Sequence, residues 1–230
     1  VLAGRTADGT PRTLVPGLVD AHLHAYGVAL DGLVIESLPL SYLAHLGARR
    51  LGGALGRGFT TVRDVAGGDA GLARAVREGL VASPRYLWTG AALSQTGGHG
   101  DPRSADHDVD VCCAHTTEVV DGVDALRVAV RDRLRRGAHA IKIMTSGGVM
   151  SPTDPLRVPQ YAPDEIRAVC DEADRRGTYV TAHAYSPEAI VHSVENGVRC
   201  IEHANLLDAT TAALMAANDV AMVPTLAAYD

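Results

Sequence analysis

Apolar positions along this chain fall into two alternating rhythms. Short apolar or β-branched runs bounded by Gly, Pro or charged residues read as buried strands at 15–24, 58–65, 85–93, 139–144, 179–183, 199–203 and 220–224. Between them apolar residues recur at helical spacing. One helix is expected from Ser41 to Leu55, and another begins at a cap on Asp69 and runs to about Val81. Asp121 and Asp124 open a third, with Val123, Leu126, Val130 and Leu134 on its buried face and Gly137 closing it. Pro163 starts a fourth, with Ile166, Val169, Cys170 and Ala173 buried and Gly177 at its end; Ser186-Pro187 starts a fifth that Gly197 stops, and Asp208 caps a sixth to about Asn218. Two stretches break the rhythm. Residues 1–14 are polar and turn-rich, with Asp8-Gly9 a hairpin turn, and the long polar segment from Ser94 to about Glu118 reads as a lid loop.

Regular strand–helix alternation implies a parallel sheet covered by helices, either open or closed into a barrel. The chemistry-bearing residues choose between them. His22, His24, Lys142, His183 and His203 all sit at or near C-terminal ends of predicted strands, and a closed barrel gathers such ends around one mouth. The expectation is a (β/α) barrel with a metal site there. In the first strand, residues two apart share a face, so Asp20, His22 and His24 point the same way. Paired imidazoles on a stiff element suit a divalent cation, and Asp20 is placed to orient them; ordinary hydrogen bonding at a strand end is the plainer alternative. His99, in a Gly-rich loop after the third strand, is either a substrate contact or a solvated loop histidine.

Composition narrows the function classes. The 230 residues are 47% hydrophobic, enough for a large core, and their net charge of -6 gives no reason to expect nucleic acid or an anionic membrane. No apolar segment reaches membrane-spanning length. Cys112, Cys113, Cys170 and Cys200 show no paired spacing, and the first residues carry no export signal, so a reduced, cytoplasmic protein is expected. His107, Cys112, Cys113 and His115 do not match a structural zinc pattern, and Arg63 and Asp64 are expected to pair or cap inside the barrel.

Seven segments resemble the amidohydrolase superfamily, in its imidazolonepropionase-like and Xaa-Pro dipeptidase-like branch: PGLVDAHLH at 16–24, GFTTVRDV at 58–65, TGGHGD at 96–101, IKIMTSGGVMS at 141–151, VTAHA at 180–184, IEHANLLD at 201–208 and VPTLAAY at 223–229. The resemblance implies a TIM-like (β/α)8 barrel with a small β-sandwich, residues 1–14 being a remnant of that sandwich and 15–230 an incomplete barrel lacking strand eight. It implies two divalent ions, zinc by expectation, with His22 and His24 on one, His183 and His203 on the other, and Lys142 carboxylated to bridge both. An ammonium is a poor ligand, whereas a carbamate offers two oxygens; a lysine snorkelling from a barrel strand is the alternative. Water between two such ions becomes a nucleophile near neutral pH.

The implied activity is hydrolysis of a C–N bond in a small molecule or dipeptide such as Xaa-Pro, with His99 and Tyr229 touching substrate and Arg103 or Arg157 near its carboxylate. The family's general-base aspartate at the tip of strand eight has no counterpart before the chain stops at Asp230, so a fragment of a longer enzyme is expected. Lactone, cyclic-amide or organophosphate hydrolysis, a mononuclear site with unmodified Lys142, and a catalytically dead metal-binding fragment stand as alternatives. Deamination fits poorly, because no Glu closely follows His183. A homo-oligomer is compatible with the sequence.

Overall fold

The structure, a computed structural model, describes residues 2–109, 114–149, 151 and 153–228. An exposed antiparallel hairpin of β1 (Leu2–Arg5) and β2 (Pro11–Leu14) comes first. It turns at Asp8-Gly9 as expected: Asp8 accepts the Thr10 N–H at 3.0 Å, and Gly9 takes φ +84, a conformation open to glycine. The rest is a parallel α/β fold. One sheet runs β3 (Leu18–Leu23), β4 (Phe59–Asp64), β5 (Arg85–Trp88). The other has the order β11 (Ala221–Val223), β10 (Cys200–His203), β9 (Val180–Ala184), β8 (Ile141–Met144), β6 (Ala92–Ser94), β7 (Thr117–Val119).

The helices fall where periodicity puts them: α2 (Leu40–Gly56), α3 (Ala70–Arg77), α4 (Val123–Arg136), α5 (Pro163–Asp174), α6 (Pro187–Glu195) and α7 (Ala209–Ala217), preceded by a short α1 (Gly32–Ser37). Asp69, Ser186 and Asp208 cap α3, α6 and α7 by accepting backbone N–H groups. Asp121 does not cap α4. Its carboxylate is taken by Thr96, so Gly122 stands at the cap and its N–H goes to Glu165 at 2.7 Å.

Two further expectations are corrected. The run 85–93 is not one strand: Gly90, at φ +77, breaks it, sending β5 and β6 to different sheets. The polar segment 94–118 is not wholly loop, since β7 pairs in parallel with β6 near its end. Cys112 and Cys113 lie outside the described residues.

The strands alternate faces, and the alternation separates core from site. Ile141, Ile143, Val180, Ala182 and Ile201 point to the helices, where they pack with Leu126, Val130, Ile166, Val169 and Ile190. Each of the valine, leucine and isoleucine side chains contributes roughly 1.5–3 kcal/mol by leaving water. Lys142, Thr181, His183 and Glu202 take the other face and are also buried. A second cluster holds Leu43, Leu51, Val62, Leu72 and Trp88 around Tyr26. No helix among the described residues is long and apolar enough to cross a membrane.

Helices α4 and α5 are clamped by Glu172, 5% exposed, which receives Arg131 at 2.7 and 2.9 Å, Arg127 at 2.8 Å and Arg175 at 3.3 Å. The Arg131 hydrogen bond, opposed by burial and reinforced by Arg127, holds the carboxyl down at about 2 against 4.5 in an open chain. The folded state thus gains from the ionised form, a gain present above 4.5 and lost as pH falls toward 2. Glu172→Gln is expected to lower stability by about 1–2 kcal/mol at neutral pH, since the arginines are partly solvated. In urea unfolding across pH, the gap between variant and parent should close below 4.5; a gap independent of pH contradicts the clamp.

Candidate active site

His22 and His24 stand where β3 departs from regular pairing. The register with β4 shifts between Asp20 and Leu23, a bulge that re-aims the side chains carried there. His22 Nδ1 lies 2.6 Å from Glu202 Oε2, and His24 Nδ1 lies 3.1 Å from the carbonyl oxygen of Ala66. The two Nε2 atoms face each other at 3.1 Å. His183, on β9, places Nε2 at 3.1 Å from the Gly147 carbonyl. His203, at the end of β10, places Nδ1 at 2.7 Å from Thr225 Oγ1.

His203 and Ala204 both take left-handed backbone, φ +75 and +53, which costs a non-glycine residue roughly 1–2 kcal/mol. That turn lays the His203 ring 4.8 Å from His22 and 4.7 Å from His183, centroid to centroid. Four imidazoles from three strand ends therefore meet at one mouth. Among the described residues no three His, Cys, Asp or Glu side chains are spread as a ready metal clamp; the rings pack on one another instead.

Burial lowers the pKa of all four, His24 to about 3 and His203 to about 2, so they are neutral at physiological pH. Lys142 completes the group from β8. It is 1% exposed, its Nζ has no hydrogen-bond partner among the described residues, and burial lowers it to about 8. An orphaned buried amine is rare, because the cost of desolvation is uncompensated.

The carboxylate on His22 is Glu202, and of the two expectations for Asp20, orienting the histidines or ordinary hydrogen bonding at a strand end, the second holds. Asp20 instead accepts the His22 backbone N–H at 3.0 Å. Nor do Arg63 and Asp64 pair with each other. Arg63 crosses the interior to Glu202, and also donates to the Ala21 carbonyl at 2.8 Å and to Tyr179 Oη at 3.0 Å. Asp64 holds Tyr86 Oη at 2.7 Å and the Ala25 N–H at 3.1 Å. Thr181 also donates to Glu202. Burial opposes ionisation of Glu202, but His22, Lys142 and Arg63 outweigh it and hold the group well below the ordinary carboxylate range.

Beside the imidazoles opens a cleft of about 630 Å³, floored by His24, Ala66 and Met144 and walled by Leu30, Leu33 and Ile35. His99 lines it, stacked on His183 at 3.9 Å with Nδ1 at 2.9 Å from Ser151 Oγ. Gly148 makes room for that ring, since a Cβ there would sit 2.0 Å from it. His99 is thus a packed residue of the site and no solvated loop histidine. Arg103 is engaged by Asp101 at 2.7 and 2.8 Å, and Arg157 is exposed near Glu188. Tyr229 lies outside the described residues.

Comparison with known proteins identifies the family. The ochratoxinase of Aspergillus niger is 34% identical over 246 residues, covering 96% of this chain and 50% of that protein. The crystal structure of a prolidase complexed with N-methylphosphonate-L-proline superposes with TM-score 0.88 at 46% identity, over 92% of this chain and 53% of that one. A Xaa-Pro dipeptidase with methionine bound in its active site gives 0.79 at 33% identity, over 93% and 54%. The chain spans about half the length of the curated relatives it matches. The amidohydrolase family model matches residues 13–229, and with the barrel-type parallel fold and the histidine-lined mouth this chain belongs to the amidohydrolase family.

Proposed function

We propose that the protein is a hydrolase of a C–N bond in a small dipeptide such as Xaa-Pro, working with two divalent ions, zinc by preference. His22 and His24 hold one ion, His183 and His203 the other, and Lys142, carboxylated, joins them. The observation that carries the reading is the pair of Nε2 atoms facing each other at 3.1 Å. The Ala66 carbonyl and an ionised Glu202 can only accept, so each Nδ1 spends its proton there and each Nε2 is left with a lone pair. Two opposed lone pairs in a buried site repel unless a cation lies with them. His183 donates through Nε2 to Gly147, which leaves its Nδ1 as the ligand atom.

Lys142 supports the same reading. With its amine brought down to about 8, a useful fraction is unprotonated at neutral pH. That nitrogen can add to carbon dioxide and release a proton, giving an anionic carbamate whose oxygens satisfy what the orphaned amine cannot. When bound, the ions supply activated water and polarise the scissile carbonyl. The residues of this chain bind and orient. His99 offers a ring nitrogen to the substrate, Leu30, Leu33 and Ile35 give the cleft an apolar side, and Tyr229 is assigned to the substrate by the family resemblance alone. The dipeptide class is supported by likeness to the prolidase complexed with a proline phosphonate and to the Xaa-Pro dipeptidase, each over more than nine-tenths of this chain.

Elemental analysis of protein prepared with zinc and bicarbonate is expected to give close to two metals per chain, falling to one or none in Lys142→Ala. Carbon-13 NMR with labelled bicarbonate should show a carbamate signal that the same variant lacks. Wild-type protein that retains no zinc overturns the metal-centre reading. Zinc-loaded protein should bind N-methylphosphonate-L-proline, with His99→Ala weakening analogue binding by about tenfold in calorimetry, ~1.4 kcal/mol. A zinc-loaded wild type that does not bind the analogue overturns the Xaa-Pro reading.

A further inference from the structure

We propose that Glu202 is a positioning residue: it fixes His22 as the tautomer protonated on Nδ1, and thereby turns the His22 Nε2 lone pair toward His24. The value of that role for metal binding rests on the metal-centre reading above; the tautomer assignment does not. Glu202 is fully buried, and no solvent shares its charge. Oε2 takes His22 Nδ1, and Oε1 takes Arg63 and Thr181. Arg63 is itself tethered to the carbonyl of Ala21, the residue before His22, and to Tyr179. One carboxylate on β10 is thus gripped by groups from β3, β4 and β9, and neither of its oxygens is free to turn away.

The alternative state is chemically definite. A neutral imidazole carries one proton, on one nitrogen or the other. If Nδ1 lost its acceptor, the proton would move to Nε2, which lies 3.1 Å from the His24 Nε2 lone pair and would donate to it. His24 cannot answer by donating back, because its own Nδ1 proton is committed to Ala66. The two histidines would then satisfy each other with a proton, and a metal ion would have to displace it. Glu202 prevents that internal hydrogen bond. The signal was present in the sequence as a Glu on an apolar strand directly before His203, with an Arg at 63 on another buried strand.

The test is the tautomer itself, read by long-range nitrogen-15 NMR on chelator-treated protein, beside zinc affinity from competition with a chromophoric chelator. Wild-type His22 is expected to be protonated on Nδ1. In Glu202→Gln the new amide can donate to Nδ1, so the proton should move to Nε2 and zinc affinity should fall by about 10–100-fold, with the circular dichroism spectrum kept. Wild-type His22 protonated on Nε2 overturns the proposal and needs no variant to fold. So does a Glu202→Gln protein that keeps the Nδ1 proton, or one that changes tautomer yet binds zinc as tightly as wild type. Wild-type protein that takes no zinc defeats the metal-centre reading and leaves the tautomer measurement to decide this one.

Discussion

An ionised carboxylate with no access to water must have its solvation replaced by the protein, at a desolvation cost of several kcal/mol. Glu202 imposes that requirement on the middle of this fold. Its partners come from distant parts of the chain: Arg63 from β4, Thr181 from β9 and His22 from β3. Strands near the two ends of the strand order must therefore curl until they face each other, and the interior polar face is satisfied only in the curled form. Apolar packing under α4, α5 and α6 supplies the bulk of the stabilisation. The carboxylate decides which arrangement of that apolar material is acceptable.

Regular pairing carries Lys142, His183 and Glu202, while His22 and His203 stand on irregular backbone. Strands β8, β9 and β10 pair without interruption and bury Ile141, Ile143 and Ile201 toward the helices. Two irregularities carry site histidines: the β3 bulge at His22, and the left-handed turn at His203 and Ala204. Such departures persist only where surrounding structure holds them. Here they aim rings inward that an unbroken strand would space along its length.

Fold class was legible because strand and helix periods are local properties, visible in any window of a dozen residues. The histidines and Lys142 were legible as a group because they all fall at strand ends. Partner choice was not. Arg63 stands next to Asp64 in sequence, and the nearest opposite charge is the natural expectation; on a strand, however, neighbours point to opposite faces, so the two were barred from meeting. Arg63 reaches a partner 139 residues away instead. The same alternation hid Glu202, whose significance depends on which side of β10 faces the interior. The break at Gly90 was missed because Trp88 and Leu93 both look like strand residues, and only the left-handed glycine between them separates the sheets.

The contact between His22 and Glu202 spans 180 residues, which gives the site a history as well as a geometry. At about 5–20 residues per second, a ribosome needs on the order of ten to forty seconds to make the interval. Through that time the first two histidines exist without the group that orients them, and their ring protons are free to exchange between nitrogens. On the metal-centre reading, choice of a cation would be deferred until β10 has docked, and a chain still being made would offer only two ordinary imidazoles.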